Sequence, residues 1–175
     1  MATPGILFGH FTDIGTFHNV TIEVVLKLDK AGLAHRDLQR ESAVLSELQT
    51  NQVPGVVHLY DYHTASSPRY LVLQTHGESL EAFLLPDNLA TLKIVAGRLV
   101  RAVRGIHAAG LMHGDLKPAN VLVKVLPGGR FELKLADFDS ARFVGRGGES
   151  LFPHTGGRLK YTAGERASSC LPVCD

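Results

Sequence analysis

A chain of 175 residues, 45% hydrophobic and 20% charged, has the length and apolar content of one globular domain with a sizeable core, which excludes disorder as a description of the whole. Its 18 basic and 17 acidic residues leave a net charge of +1 with no long run of either sign, so neither a nucleic acid nor an anionic membrane is implied as a partner. No stretch reaches the roughly 18 apolar residues of a membrane span, and MATPGILFGHFTDIG lacks the basic-then-apolar pattern of a leader, so a cytoplasmic protein without membrane attachment is the expectation.

The hydrophobic period changes near residue 85, with strand-like segments mostly before it and a long helix after it, which suggests two layers or lobes. In VTIEVVLKLD, alternation puts Ile22, Val24, Leu26 and Leu28 on one face of a strand and Glu23, Val25 and Lys27 on the other. From Asp37, the segment DLQRESAVLSEL places Leu38, Glu41, Leu45 and Leu48 at helical spacing, so a carboxylate sits inside an apolar stripe and wants a cation. Residues 56–62 and 70–74 read as two short strands around the loop HTASSPR, and HGES opens the connection to the next helix. Leu92, Val95, Leu99, Ala102 and Ile106 recur every three or four residues and Gly110 follows as a stop, predicting one buried helix over 89–109. Segments 121–125 and 131–135 flank Pro127, Gly128 and Gly129, a hairpin that delivers Asp137 at its far end. Cys170 and Cys174 close the chain; without a secretory signal they are expected to be reduced, and the nine histidines show no metal-ligand spacing.

HGDLKPANVLV, with Asp115, Lys117 and Asn120 in Asp-x-Lys-x-x-Asn spacing, resembles the catalytic loop of eukaryotic-type protein kinases. LADFDSA resembles the metal-binding motif that follows it, and VVLK, with Glu41 fourteen residues after Lys27, resembles the phosphate-binding lysine and its glutamate partner. YTAGE is similar to the family's Ala-Pro-Glu element, with Gly164 in the proline position. The likeness covers nearly all of residues 5–175. It implies an α+β, two-lobed fold: residues 1–76 a small β-rich lobe with one helix, residues 77–175 an incomplete helical lobe truncated after the activation segment.

The same resemblance implies transfer of the ATP γ-phosphoryl group to Ser or Thr hydroxyls of a protein substrate, the lysine at 117 favouring Ser/Thr over Tyr. Asp115 would orient the hydroxyl and accept its proton, and Lys117 would balance charge on the transferred group. Asn120 and Asp137 would hold Mg2+, and Lys27, paired with Glu41, would meet the phosphates. Val25 and Ile14 above, Leu122 below, Leu73 as gatekeeper and the backbone from Gln74 to His76 as hinge would enclose the adenine. Gly9 and Phe11 would remain from the phosphate loop, Leu7 and Thr12 standing for two of its glycines. His113 would pack beside Phe138 rather than act as a base.

Some residues depart from the family pattern. Gly114 replaces an arginine that pairs with a phosphorylated activation segment, Asp139 replaces a glycine, Asp being one of the few residues that tolerate left-handed backbone, and Arg158 replaces a threonine. Ser150 and Thr155 are candidate phosphosites in the Gly-rich stretch 145–157. Taken singly, Lys27 reads as a solvated strand lysine, Glu41 as a helix-edge carboxylate, and Asp115 and Asn120 as turn residues; four motifs in order weigh against that. Beside the protein kinase stand two other readings: a pseudokinase or ATP-binding scaffold without transfer, and a small-molecule kinase of the aminoglycoside or choline type. Without the family's remaining helices, apolar surface should be exposed and the isolated chain poorly stable.

Overall fold

The computed structural model describes residues 6–13, 20–28, 38–66, 68–83 and 88–144, with 6–13 and 20–21 described through their backbone alone. Ile14, Ser150, Thr155, Arg158, the YTAGE element, Cys170, Cys174 and Asp175 lie outside these residues. Strands β1 (Ile6–Asp13), β2 (Val20–Leu28), β3 (Leu59–His63) and β4 (Tyr70–Gln74) form one antiparallel sheet in the order β1-β2-β4-β3. The alternating segment VTIEVVLKL thus becomes a central strand, and its Lys27 stands opposite Leu71 of β4.

Helix α1 (Leu38–Thr50) buries Leu38, Val44, Leu45 and Leu48 in the core that also holds Leu71 and Leu73. Glu41 lies on that same face and is fully buried. Gln52, in left-handed backbone at φ 52, ends the helix, and Val53 N donates back to Leu48 O at 2.9 Å. The strand expected from residue 56 starts only at Leu59. Gly55, at φ +76, turns the chain so that Val56 and Val57 run beside Leu135 instead, with Val57 N donating to Leu135 O at 3.0 Å and Leu135 N to Gly55 O at 2.8 Å.

Below the sheet lie β5 (Glu78–Ser79), α2 (Leu89–Ala108), β6 (Leu111–Met112), β7 (Val121–Leu126), β8 (Arg130–Leu135) and β9 (Arg142–Phe143). The expected hairpin is β7 and β8, which continue β5 in a three-stranded sheet, while β6 pairs with β9. Asn88 caps α2, its side chain accepting from Thr91 N at 2.8 Å. This helix differs from the expectation of full burial: Thr91, Val95, Ala102 and Ile106 are buried, but Leu92 is 56% and Val100 58% exposed. The helix carries a second apolar stripe, Leu89, Leu92, Ala96 and Val100, and only the first meets β6 and β8. Among the described residues no helix is long and apolar enough to cross a membrane.

Candidate active site

Three elements far apart in sequence converge on one ammonium. Lys27 Nζ lies 2.6 Å from Glu41 Oε2 on α1 and 2.7 Å from Asp137 Oδ1 just past β8. Lys27 and Glu41 are buried, whereas one third of the Asp137 side chain is exposed. Burial works against the Lys27 charge, but the Glu41 and Asp137 carboxylates outweigh it and hold the ammonium above its ordinary pKa. The carboxylate inside the helical stripe therefore has its cation, and that cation comes from the strand whose alternation turns Lys27 inward.

Glu41 makes a second connection. Its Oε1 accepts from Phe138 N at 3.3 Å, tying α1 to the turn at residues 138–140. Phe138 is fully buried, with its ring 4.7 Å from that of His113. Asp115 N donates to His113 Nδ1 at 3.3 Å, and His113 Nε2 lies 3.1 Å from Ala136 O, a pair of bonds that fits a ring protonated on Nε2. His113 is thus a packing and bridging residue. The left-handed residue of this segment is Asp137, at φ 66. Asp139 falls inside the short 3-10 turn Phe138–Ser140, where its carboxylate accepts from Ser140 Oγ at 3.2 Å.

The other half of the site is the segment between β6 and β7. Lys117 Nζ contacts Asp115 Oδ2, and Asn120 Nδ2 donates to Asp115 O at 2.9 Å and to its Oδ2 at 3.3 Å. Ala136 N donates to Asn120 O at 2.9 Å, so the Asp115 segment is fixed to the backbone one residue before Asp137. With its amide nitrogen spent on Asp115, Asn120 has an oxygen to offer a cation. Asn120 and Asp137 supply amide and carboxylate oxygens, the hard donor set that fits magnesium. Among the described residues no group of three or more His, Cys, Asp or Glu could hold a metal, so Asn120 and Asp137 are the candidate magnesium ligands on their own side-chain oxygens.

The predicted adenine contacts divide. Val25 and Leu73 are directly paired across β2 and β4; Leu73 is buried in the core, against which partly buried Val25 and Leu122 each pack. Ile14 is outside the described residues. Gly9 lies inside β1, paired with Val24 in unbroken register from Ile6 to Asp13, and the connection from β1 to β2 is outside the described residues. The residues around it, Phe8, Phe11 and Thr12, are strand formers, and a single glycine does not outvote them.

At the predicted hinge, Gln74 N donates to His58 O at 2.8 Å, and Thr75 Oγ1 and His76 Nε2 are buried without a hydrogen-bond partner among the described residues. Two residues here escaped the sequence reading. A Cβ on Gly77, at φ +45, would lie 1.9 Å from Val123 O, so the chain passes against β7 as only glycine can. Lys134 Nζ donates to Gln74 Oε1 at 2.6 Å, joining β8 to the end of β4. The glycine after a strand-ending polar pair was a usable signal for the first; nothing local marks the second.

Comparison with known proteins agrees with this geometry. The protein kinase domain family matches residues 13–170. Human serine/threonine-protein kinase ULK1 is 31% identical over 137 residues, covering 70% of this chain and 13% of that protein. Rat serine/threonine-protein kinase D2 is 31% identical over 140 residues, covering 74% of the chain and 15% of its own length. A mouse PAS domain-containing serine/threonine-protein kinase is 28% identical over 130 residues, 71% of the chain and 9% of that protein. The matched part of the chain therefore spans a small fraction of each relative.

Proposed function

Because the chain belongs to the protein kinase family, we propose that it transfers the γ-phosphoryl group of ATP to Ser or Thr hydroxyls of a protein. The observation that carries this reading is Lys27 held jointly by Glu41 and Asp137, next to Asp115, Lys117 and Asn120. In this reading residues 1–76 and 77–175 are the two lobes that close on the nucleotide. Lys27 meets its phosphates, the backbone at Gln74 to His76 faces the adenine edge, and Val25, Leu73 and Leu122 cover its faces. Asp115 receives the proton of the attacking hydroxyl, and Lys117, already in contact with it, places positive charge beside the group in transfer. Asn120 and Asp137 would hold magnesium, which would supply positive charge against the phosphates. Positioning and charge balance thus supply most of the catalysis.

One observation favours a second reading, a nucleotide-binding scaffold without transfer: Leu7 and Thr12 stand in β1 where two glycines would let the backbone approach the phosphates. Labelled ATP with magnesium and a mixed Ser, Thr and Tyr peptide library separates the two. The first reading expects label on Ser and Thr, and a fall of about 100-fold to 10,000-fold in Asp115→Asn. Nucleotide binding without any label supports the scaffold, and transfer that survives Asp115→Asn overturns the assigned role.

A further inference from the structure

A cavity of about 260 Å³ lies behind the hinge, where the end of α1, the loop leading to β3 and strand β8 meet. Leu48, Val53, Val56 and Val57 give it an aliphatic wall, and among the described residues that line it Lys134 carries the only fixed charge. Gln49 lines it too, but both ends of its amide are spent on Leu59: Nε2 donates to Leu59 O at 3.2 Å and Oε1 accepts from Leu59 N at 2.8 Å. The Lys134 ammonium has a neutral partner, Gln74 Oε1, an oxygen that also takes His58 N at 3.4 Å. An ammonium has three donors and Gln74 uses one.

A cation with donors to spare at the edge of an aliphatic wall complements a molecule with a carboxylate at one end and a short hydrocarbon chain at the other. The volume falls just below the roughly 300–1,000 Å³ range of small-molecule sites, which points to a short-chain acid rather than a larger ligand. We propose that the cavity is a binding site for a small aliphatic carboxylate, its chain on Val53, Val56 and Val57 and its carboxylate on Lys134. The proposal is independent of nucleotide binding and phosphoryl transfer, so neither its success nor its failure bears on them.

Hexanoate is the probe, titrated into the full chain while the valine and leucine methyl resonances are followed by NMR. Saturable shifts at Val53, Val56 and Val57 are expected. Hexanamide, which keeps the shape and loses the charge, should bind about tenfold more weakly, since charge-assisted hydrogen bonds are the stronger kind. Lys134→Met should weaken hexanoate to the same extent and Lys134→Arg should retain it, which separates loss of the charge from loss of the fold. Gln74→Leu, which frees the ammonium, should tighten binding. Absence of saturable shifts, equal binding of hexanamide, or undiminished binding in Lys134→Met overturns the proposal.

Discussion

At the scale of single residues the site is held by a buried charge cluster, and its members are unequal. Glu41 is fully buried and depends on Lys27 for its charge balance, whereas Asp137 is one third exposed and has water as an alternative. Lys27→Met should therefore destabilise the fold by about 3–5 kcal/mol in urea unfolding, because it strands a buried carboxylate. The double variant Lys27→Met with Glu41→Leu should recover much of that loss; no recovery would mean the cost lies elsewhere than in Glu41. His76 behaves differently. Burial holds its ring below the ordinary pKa of 6.5, against the backbone and charge of Glu132, which favour the charged ring. Its folded pKa is depressed, so its contribution to stability is present above pH 6.5 and is lost as pH falls through the folded value, where the unfolded chain has already taken its proton. Urea unfolding at pH 7.5 and at about one unit below 6.5 should show this loss, and His76→Gln should reduce the difference.

At the scale of elements, β2, β4 and the hairpin of β7 and β8 were legible because period 2 and turn chemistry speak locally, and α1 because Glu41 stood out within an apolar stripe. The site residues on those elements were legible for the same reason, since Lys27, Glu41, Asp115, Asn120 and Asp137 sit at fixed places in short motifs. Gly9 stands among strand formers, and its place in β1 follows from them. Lys134 could not be found, since its bond to Gln74 depends on how β8 sits against the end of β4, 60 residues away in the chain. The close passage at Gly77 gives the element-level prediction. Gly77→Ala would force a Cβ into Val123 O, which is backbone and cannot rotate away, so the hinge must shift from β7. A loss of about 1–3 kcal/mol in stability is expected, together with weaker nucleotide binding. Unchanged melting and binding would show that the hinge tolerates the shift.

At the scale of the whole molecule, the two halves are tied by backbone as well as by charge. Val57 and Gly55 bond to Leu135, and the carboxylates around Lys27 come from α1 above and from the end of the hairpin below. The two-part organisation was visible in the change of hydrophobic period near residue 85; which stripe of α2 would be covered was not, because a helix with two apolar faces does not say which one finds a neighbour. Leu89, Leu92 and Val100 remain exposed. The account as a whole rests on Lys27, Asn120 and Asp137 forming a magnesium-dependent nucleotide site. Its most direct test is the melting temperature of the chain with ATP and magnesium together, with each alone, and in Asp137→Asn. A ligand that binds only the folded state, at 100 times its Kd, adds about 2.7 kcal/mol, so a clear rise is predicted with both present, little with either alone, and none in the variant. Equal melting under all three conditions, or a rise that persists in Asp137→Asn, would contradict the account.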